Sequence, residues 1–161
     1  MLNTRTIFGF LLVALLFVAG CSSESKKETL ANDTSLVVIN VLDKEMFDDA
    51  HLKGSINIPF EQVLDSTKGW QKSRPLVIYC SNFMCGASAM AVQQLQKEGF
   101  TNVRAYEGGT AQWYQLKFPI TGPAQKKYLQ QVMEQPETHS TTVPTIDAQT
   151  LKKEMEEAKL L

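Results

Sequence analysis

Apolar and polar positions alternate along the chain in two distinct rhythms. "SLVVINVL" (35–42) and "PLVIYC" (75–80) are nearly continuous apolar runs rich in β-branched residues, the pattern of strands buried on both faces. "NVRAYEGG" (102–109) predicts a third strand running into a glycine turn, and "SINIP" (55–59) a short apolar segment closed by Pro59. Between these runs the period lengthens. "DKEMFDDAHLKG" (43–54) reads as helical or turn-like, and from Ser88 onward small or apolar residues at 88, 91, 92 and 95 recur at helical spacing. Gly99 is placed to stop that helix, since glycine suits the left-handed position past a C-terminus. Strands alternating with helices predict an α/β domain whose mostly parallel sheet is covered on both faces. In such sheets ligands bind at the carboxyl ends of the strands.

The two ends of the chain depart from this rhythm. "GPAQKKYLQQVMEQ" (122–135) puts Tyr128, Leu129, Val132 and Met133 on one helical face, which predicts a helix packed on the domain. "PETHSTTVP" (136–144) is a polar linker, and "TIDAQTLKKEMEEAKLL" (145–161) predicts a last amphipathic helix. Its apolar face, Leu151, Met155 and Ala158, is narrow, so a mobile tail is the simpler expectation and a helix folded back on the domain the competing one. At the other end, "MLNTRT" carries one positive charge, and "IFGFLLVALLFVAG" (7–20) is an unbroken apolar run too short for the ~20 residues of a bilayer-spanning helix. This is the layout of a secretory signal. Its end, "VAGC", resembles the bacterial lipobox, which implies a signal peptide over 1–20 and lipidation of Cys21. The polar stretch behind Cys21 then serves as a tether over 21–34, with a folded domain over 35–134, a linker over 135–145 and the C-terminal helix over 146–161. The expected location is the cell envelope, lipid-anchored and facing the periplasm or the exterior. With Ser22 in place of a retaining aspartate, the outer membrane is favoured where there are two.

Composition narrows the function classes. The 161 residues are 43% apolar and 20% charged with a formal net charge of -1, which suits one globular domain plus extras. Three arginines, Arg5, Arg74 and Arg104, make no basic stripe, so nucleic acid is not an expected partner. The candidate chemistry lies in "YCSNFMCGAS" (79–88), which holds two of the three cysteines. Cys80 closes a strand and precedes a loop leading into a helix that begins with small residues. That arrangement brings a thiol near the backbone N–H groups of Ser81, Asn82, Phe83, Met84, Gly86, Ala87 and Ser88 and the positive end of a helix dipole, which favour thiolate. A buried structural cysteine and a disulfide to Cys85 are the alternatives. Metal binding by Cys80 and Cys85 needs two more ligands for a tetrahedral zinc site; only His51 and His139 are available, so neither a metal nor another cofactor is expected.

Five segments in order, "VVINV", "AHLKGSINIP", "LVIYC", "LQKEGFTNVRAYEGGTAQW" and "KFPI", resemble the signatures of a single rhodanese domain over roughly 35–120. The resemblance implies a three-layer α/β/α fold with a mostly parallel central sheet. It also implies that Cys80 is a nucleophile that takes a sulfane sulfur as a persulfide and hands it to an acceptor. His51 then matches a scaffold histidine, Gly108 and Gly109 a tight turn beside the active loop, and Trp113 the core. Implied partners are a small sulfane-sulfur donor or protein persulfide and a thiol acceptor. Asn40 and Leu42 stand where the family has an acid and an arginine, and Met46 where a glutamate is usual, which predicts an ion network replaced by neutral contacts. The loop has no arginine: Cys85 occupies its offset counted from Cys80, and counted back from the helix the loop resembles a "CxxxxCxxSxxA" subtype. Thiosulfate is therefore expected to be a poor donor, and phosphatase chemistry, which needs an arginine where Gly86 stands, is disfavoured. Two further readings stay open: a redox relay in which Cys85 is the resolving thiol, and a binding module without catalysis.

Overall fold

The computed structural model describes residues 34–131 and 142–161. Four strands, β1 (Val37–Asn40), β3 (Ile56–Asn57), β4 (Leu76–Tyr79) and β5 (Val103–Tyr106), form a parallel sheet in the order β3-β1-β4-β5. A short antiparallel pair, β2 (His51–Leu52) with β6 (Ile120–Thr121), sits apart from it. The three predicted long strands and the "SINIP" segment are thus all strands of one parallel sheet. Their register aligns Asn40 with Tyr79 and Tyr79 with Tyr106, so β1, β4 and β5 end level with one another.

Five helices follow the strands: α1 (Lys44–Asp49), α2 (Val63–Thr67), α3 (Ala87–Lys97), α4 (Gly109–Gln115) and α5 (Ala148–Glu157). Side chains alternate across a strand, and both sets are apolar here because both faces are covered. Val37, Ile39, Leu76, Ile78, Val103 and Ala105 pack against Val63 of α2 and Ala91, Val92 and Leu95 of α3. Val38, Val77, Tyr79 and Tyr106 pack on the opposite face against Trp113 of α4 and Leu151 and Met155 of α5. The result is the three-layer α/β/α arrangement expected from the alternation of strands and helices. Helix α3 ends as predicted before Gly99, whose φ is +90°.

Two expectations about the C-terminal region are corrected. Within the described part of the predicted helix over 122–135, residues 122–131, the helical element is a 3-10 turn, Lys127–Gln130. Leu129 is buried in it, and the carbonyls of Leu129 and Gln131 accept hydrogen bonds from Gln115 Nε2. Carbonyls held by a neighbouring side chain and an anchored Leu129 fix the chain in a turn, which the amphipathic pattern alone does not reveal. Val132 and Met133 lie outside the described residues. The second correction concerns 145–161, which is docked rather than a free tail. Thr145 pairs in parallel with Ala105 on the open edge of β5, with Ala105 N donating to Pro144 O and Ile146 N to Ala105 O. Asp147 then caps α5 by accepting from Thr150 N at 2.9 Å, an N-cap that also holds its carboxyl below the usual range. Leu151 and Met155 are fully buried, and Arg104 Nη1 and Nη2 donate to both carboxylate oxygens of Glu154 at 2.8 and 2.6 Å.

Near β1 the contacts made by Asn40 are neutral. Asn40, fully buried, accepts from Leu42 N through Oδ1, while Asn57 Nδ2 donates to the carbonyls of Asn40 and Leu42. Leu42 and Met46 are half-buried. The signal-like segment, Cys21 and the tether lie outside the described residues, as does His139; among the described residues no helix is long and apolar enough to cross a membrane.

Candidate active site

Strand β4 lies inside the sheet, and its last residue hands the chain to Cys80 at the carboxyl end. Cys80 is fully buried on the α3 face of the core, and it is joined to half-buried Cys85 by a disulfide. Cys80 Sγ lies 3.0 Å from the carbonyl oxygen of Cys85 and 3.8 Å from Oγ of Ser88, itself buried in the first turn of α3. The Ser88 hydroxyl is thus placed to donate to a thiolate on Cys80, and an eleven-residue helix begins one residue earlier.

The loop between the two sulfurs is shaped by Asn82. Its backbone carbonyl accepts from Cys85 N at 3.0 Å and its Oδ1 accepts from Met84 N at 3.0 Å. The amides of Met84 and Cys85 are therefore engaged inside the loop, so the expected ring of donors around the sulfur loses Met84 in this disulfide-bonded form. Side chains compete well for local amides in such Asx turns. Phe83 and Met84 form the loop's outer surface, Met84 being 75% exposed.

A second element clamps the start of the loop. Thr110 N donates to Cys80 O at 3.0 Å and Ala111 N donates to Ser81 O at 2.9 Å, so the first turn of α4 grips the two residues after β4. Thr110 is fully buried, and its hydroxyl also reaches Cys80 O at 3.4 Å. This approach requires Gly109: its φ is +60°, and a Cβ there would lie 2.5 Å from Cys80 O and 2.7 Å from Asn82 N. The glycine turn expected beside the active loop is in direct contact with it. Gly108 is covered by the Gln112 side chain, whose Oε1 accepts from Tyr106 OH at 3.0 Å.

Trp113 is buried in the core, where its Nε1 donates to Pro119 O at 2.9 Å. His51 is half-buried, stacked on Phe47 at 3.8 Å, with Nδ1 donating to Phe47 O at 2.7 Å. Both side chains brace the scaffold. Burial pushes the Tyr79 hydroxyl up to about 12 and raises that of Tyr106 as well. Among the described residues no three His, Cys, Asp or Glu side chains converge as a metal site would require.

Two adjoining cavities flank the loop and share Phe83, Gly108 and Gln112. One, of about 280 Å³, is lined by Asn82, Ala111, Gln115, Leu116 and Gln131 as well. The other, of about 140 Å³, is closed by the docked C-terminal segment through Thr145 to Gln149 and has Glu107 and Asp147 as its charged groups. Among the described residues no lysine or arginine lines either one. Sequence reasoning missed Thr110, Gln112 and the C-terminal wall. The position of Thr110 directly after the glycine pair was the available signal for the first; nothing local marked the others.

Residues 23–116 match the family model described as Rhodanese-like domain. The uncharacterised protein YqhL of Bacillus subtilis is 28% identical over 89 residues, 55% of this chain and 69% of that protein. The thiosulfate sulfurtransferase GlpE of Shewanella oneidensis is 27% identical over 81 residues, 50% of this chain and 78% of that protein. The solution structure of the rhodanese-like domain from the Anabaena Alr3790 protein superimposes with a TM-score of 0.50 at 24% identity, covering 71% of this chain and 91% of that one, a likeness of fold.

Proposed function

Because the chain belongs to the rhodanese-like domain family, we propose that it is a sulfurtransferase in which Cys80 carries the sulfur. The Cys80 thiolate attacks the sulfane sulfur of a donor, the donor's S–S bond breaks, and the donor's remaining anion leaves with that electron pair. An acceptor thiolate then attacks the outer sulfur of the persulfide and returns Cys80 as thiolate. The observation that carries this reading is the placement of Cys80 at the carboxyl end of β4, with the Ser88 hydroxyl 3.8 Å from its sulfur and α4 gripping its carbonyl.

The cavities support a choice of substrate. Neither is lined by Cys80 or Cys85, but the walls beside the loop carry side-chain amides and carboxylates and, among the described residues, no cation, so an anionic donor approaching there forgoes a charge-assisted hydrogen bond of about 1.5–3 kcal/mol. A neutral or protein-borne persulfide fits this lining better than thiosulfate. The disulfide favours a second reading, a thiol–disulfide relay that uses both cysteines of the loop. We also place the protein in the cell envelope, lipid-anchored through Cys21. Partition of the native protein into detergent, lost in a Cys21→Ala variant, supports that location, and unmodified protein in the soluble fraction overturns it.

Assays of sulfur transfer to cyanide, run on reduced protein with thiosulfate and with polysulfide, test the main reading. Cys80→Ser abolishes transfer, Cys85→Ser does not, and polysulfide outperforms thiosulfate. Equal loss in both variants sinks the single-persulfide scheme, and a clear preference for thiosulfate contradicts the substrate choice.

A further inference from the structure

We infer that Cys85 converts the site from a carrier of sulfane sulfur into one that expels it as sulfide. The inference rests on the Cys80 persulfide proposed above and adds a second step to it. The two sulfurs are bonded to each other in a loop that keeps its Asn82 turn and its Thr110 clamp. Cys85 therefore reaches Cys80 without disturbing the sheet or either flanking helix. Cys80 is fully buried and Cys85 half-buried. A sulfur loaded on Cys80 has a competing nucleophile within its own loop, while an external acceptor must come from solvent, and an internal nucleophile already in position outruns an external one.

The chemistry balances without any oxidant beyond the loaded sulfur. The Cys85 thiolate attacks Sγ of the Cys80 persulfide, the Cys80–Cys85 bond forms, the bond to the outer sulfur breaks, and hydrosulfide leaves with that electron pair. The sulfane sulfur is reduced to sulfide and the two cysteines are oxidised to the disulfide. Reopening the disulfide needs an external dithiol, and burial decides which sulfur it meets. Its first thiolate attacks Cys85 Sγ, the more accessible of the two, and forms a mixed disulfide there. Cys80 leaves as thiolate beside the Ser88 hydroxyl and the start of α3, surroundings that stabilise it. The second thiol of the reductant then attacks its own mixed disulfide and frees Cys85. Over one cycle a persulfide and a dithiol become a thiol, sulfide and a disulfide. The partner chemistry is thus a reducing dithiol, in addition to a sulfur donor.

The test uses the full chain, reduced, loaded with inorganic polysulfide and freed of excess by rapid desalting. Intact mass and released sulfide are then followed together. Cys85→Ser, with Cys85→Ala beside it, gains the mass of one sulfur and keeps it. The wild type loses that mass at least about tenfold faster, releases one sulfide per chain and ends two hydrogens lighter than the reduced protein. Retention of the sulfur by the wild type for as long as by the variants overturns the inference and leaves the sulfurtransferase reading standing. Failure of both Cys85 variants to take up sulfur overturns both. In a second arm the oxidised protein is treated with N-acetylcysteine, acid-quenched and digested. The adduct is expected on Cys85, and an adduct on Cys80 overturns the order of attack.

Discussion

The loop from Cys80 to Ser88 and the segment from Thr145 to Met155 both attach to the sheet near the carboxyl ends of its strands, and they are held by opposite means. The loop is fixed by hydrogen bonds and one covalent link: the Asn82 turn, the grip of Thr110 and Ala111, and the bond between Cys80 and Cys85. The C-terminal segment is fixed by burial, with Ile146, Ala148, Leu151 and Met155 inside the core beside Val38, Val77 and Tyr106. Apolar contacts are strong but indifferent to small displacements, whereas hydrogen bonds set atoms to within tenths of an ångström. The molecule uses burial where it needs a wall and hydrogen bonds where a sulfur must be placed. The two regions meet in the smaller cavity, where Phe83 of the loop faces a wall built by Thr145 to Gln149.

This contrast can be broken from either side. Truncation after Gln131 removes the whole wall and is expected to have the largest effect. The loss of three large buried side chains, each contributing about 1.5–3 kcal/mol, should lower the melting temperature by more than about 10 °C. An unchanged melt would show that the segment is a free appendage. Leu151→Ala probes the same burial at one point and is expected to cost about 3 kcal/mol in urea unfolding. On the loop side, Gly109→Ala forces a Cβ to within 2.5 Å of Cys80 O at a φ of +60°. It should cost about 1–3 kcal/mol and, more tellingly, slow persulfide loading on Cys80 far more than Leu151→Ala does at equal stability. Reducing the disulfide releases a short closed loop, and a loss of about 2 kcal/mol is expected in urea unfolding with and without reductant.

The smallest effect belongs to the ion pair across the β5 edge. Hydrogen bonding to Arg104 holds the Glu154 carboxyl below the usual glutamate range, with the nearby guanidinium charge adding to the shift. A carboxyl depressed in the folded state contributes stability above its unfolded value and loses it as pH falls through the folded one. Glu154→Gln should therefore cost about 0.5–1 kcal/mol near neutral pH. The difference from wild type should shrink once the pH drops below the ordinary glutamate range, and a cost that stays constant in acid would assign the effect to packing instead.

Much of the site was legible before any coordinates, because its signals are local. A β-branched run ending in Cys80 followed by small residues at helical spacing defines a strand, a loop and a helix start, and all three are where those residues predict. The glycine pair at 108–109 likewise announced a turn close to the loop. What stayed hidden depends on residues far apart in the chain. Thr110 acts on a carbonyl thirty positions earlier. The turn at Lys127–Gln130 is held by Gln115, a contact that its amphipathic pattern does not reveal.

The sequence by itself determined the long strands β1, β4 and β5, the helix α3, the burial of both sheet faces and the position of Cys80 at a strand end, since hydrophobic period and turn chemistry act over a few residues; the short elements β2, β6, α2 and α4 it did not mark. Tertiary structure alone decided that residues 145–161 complete the layer over Val77 and Tyr106, that Thr145 takes the free edge of β5, and that the cavity beside the loop has a C-terminal wall. The narrow stripe of Leu151 and Met155 looks too small to hold a helix when read alone. It is enough here because the strand before it is already paired and the surface it covers would otherwise leave the apolar side of β4 and β5 in water.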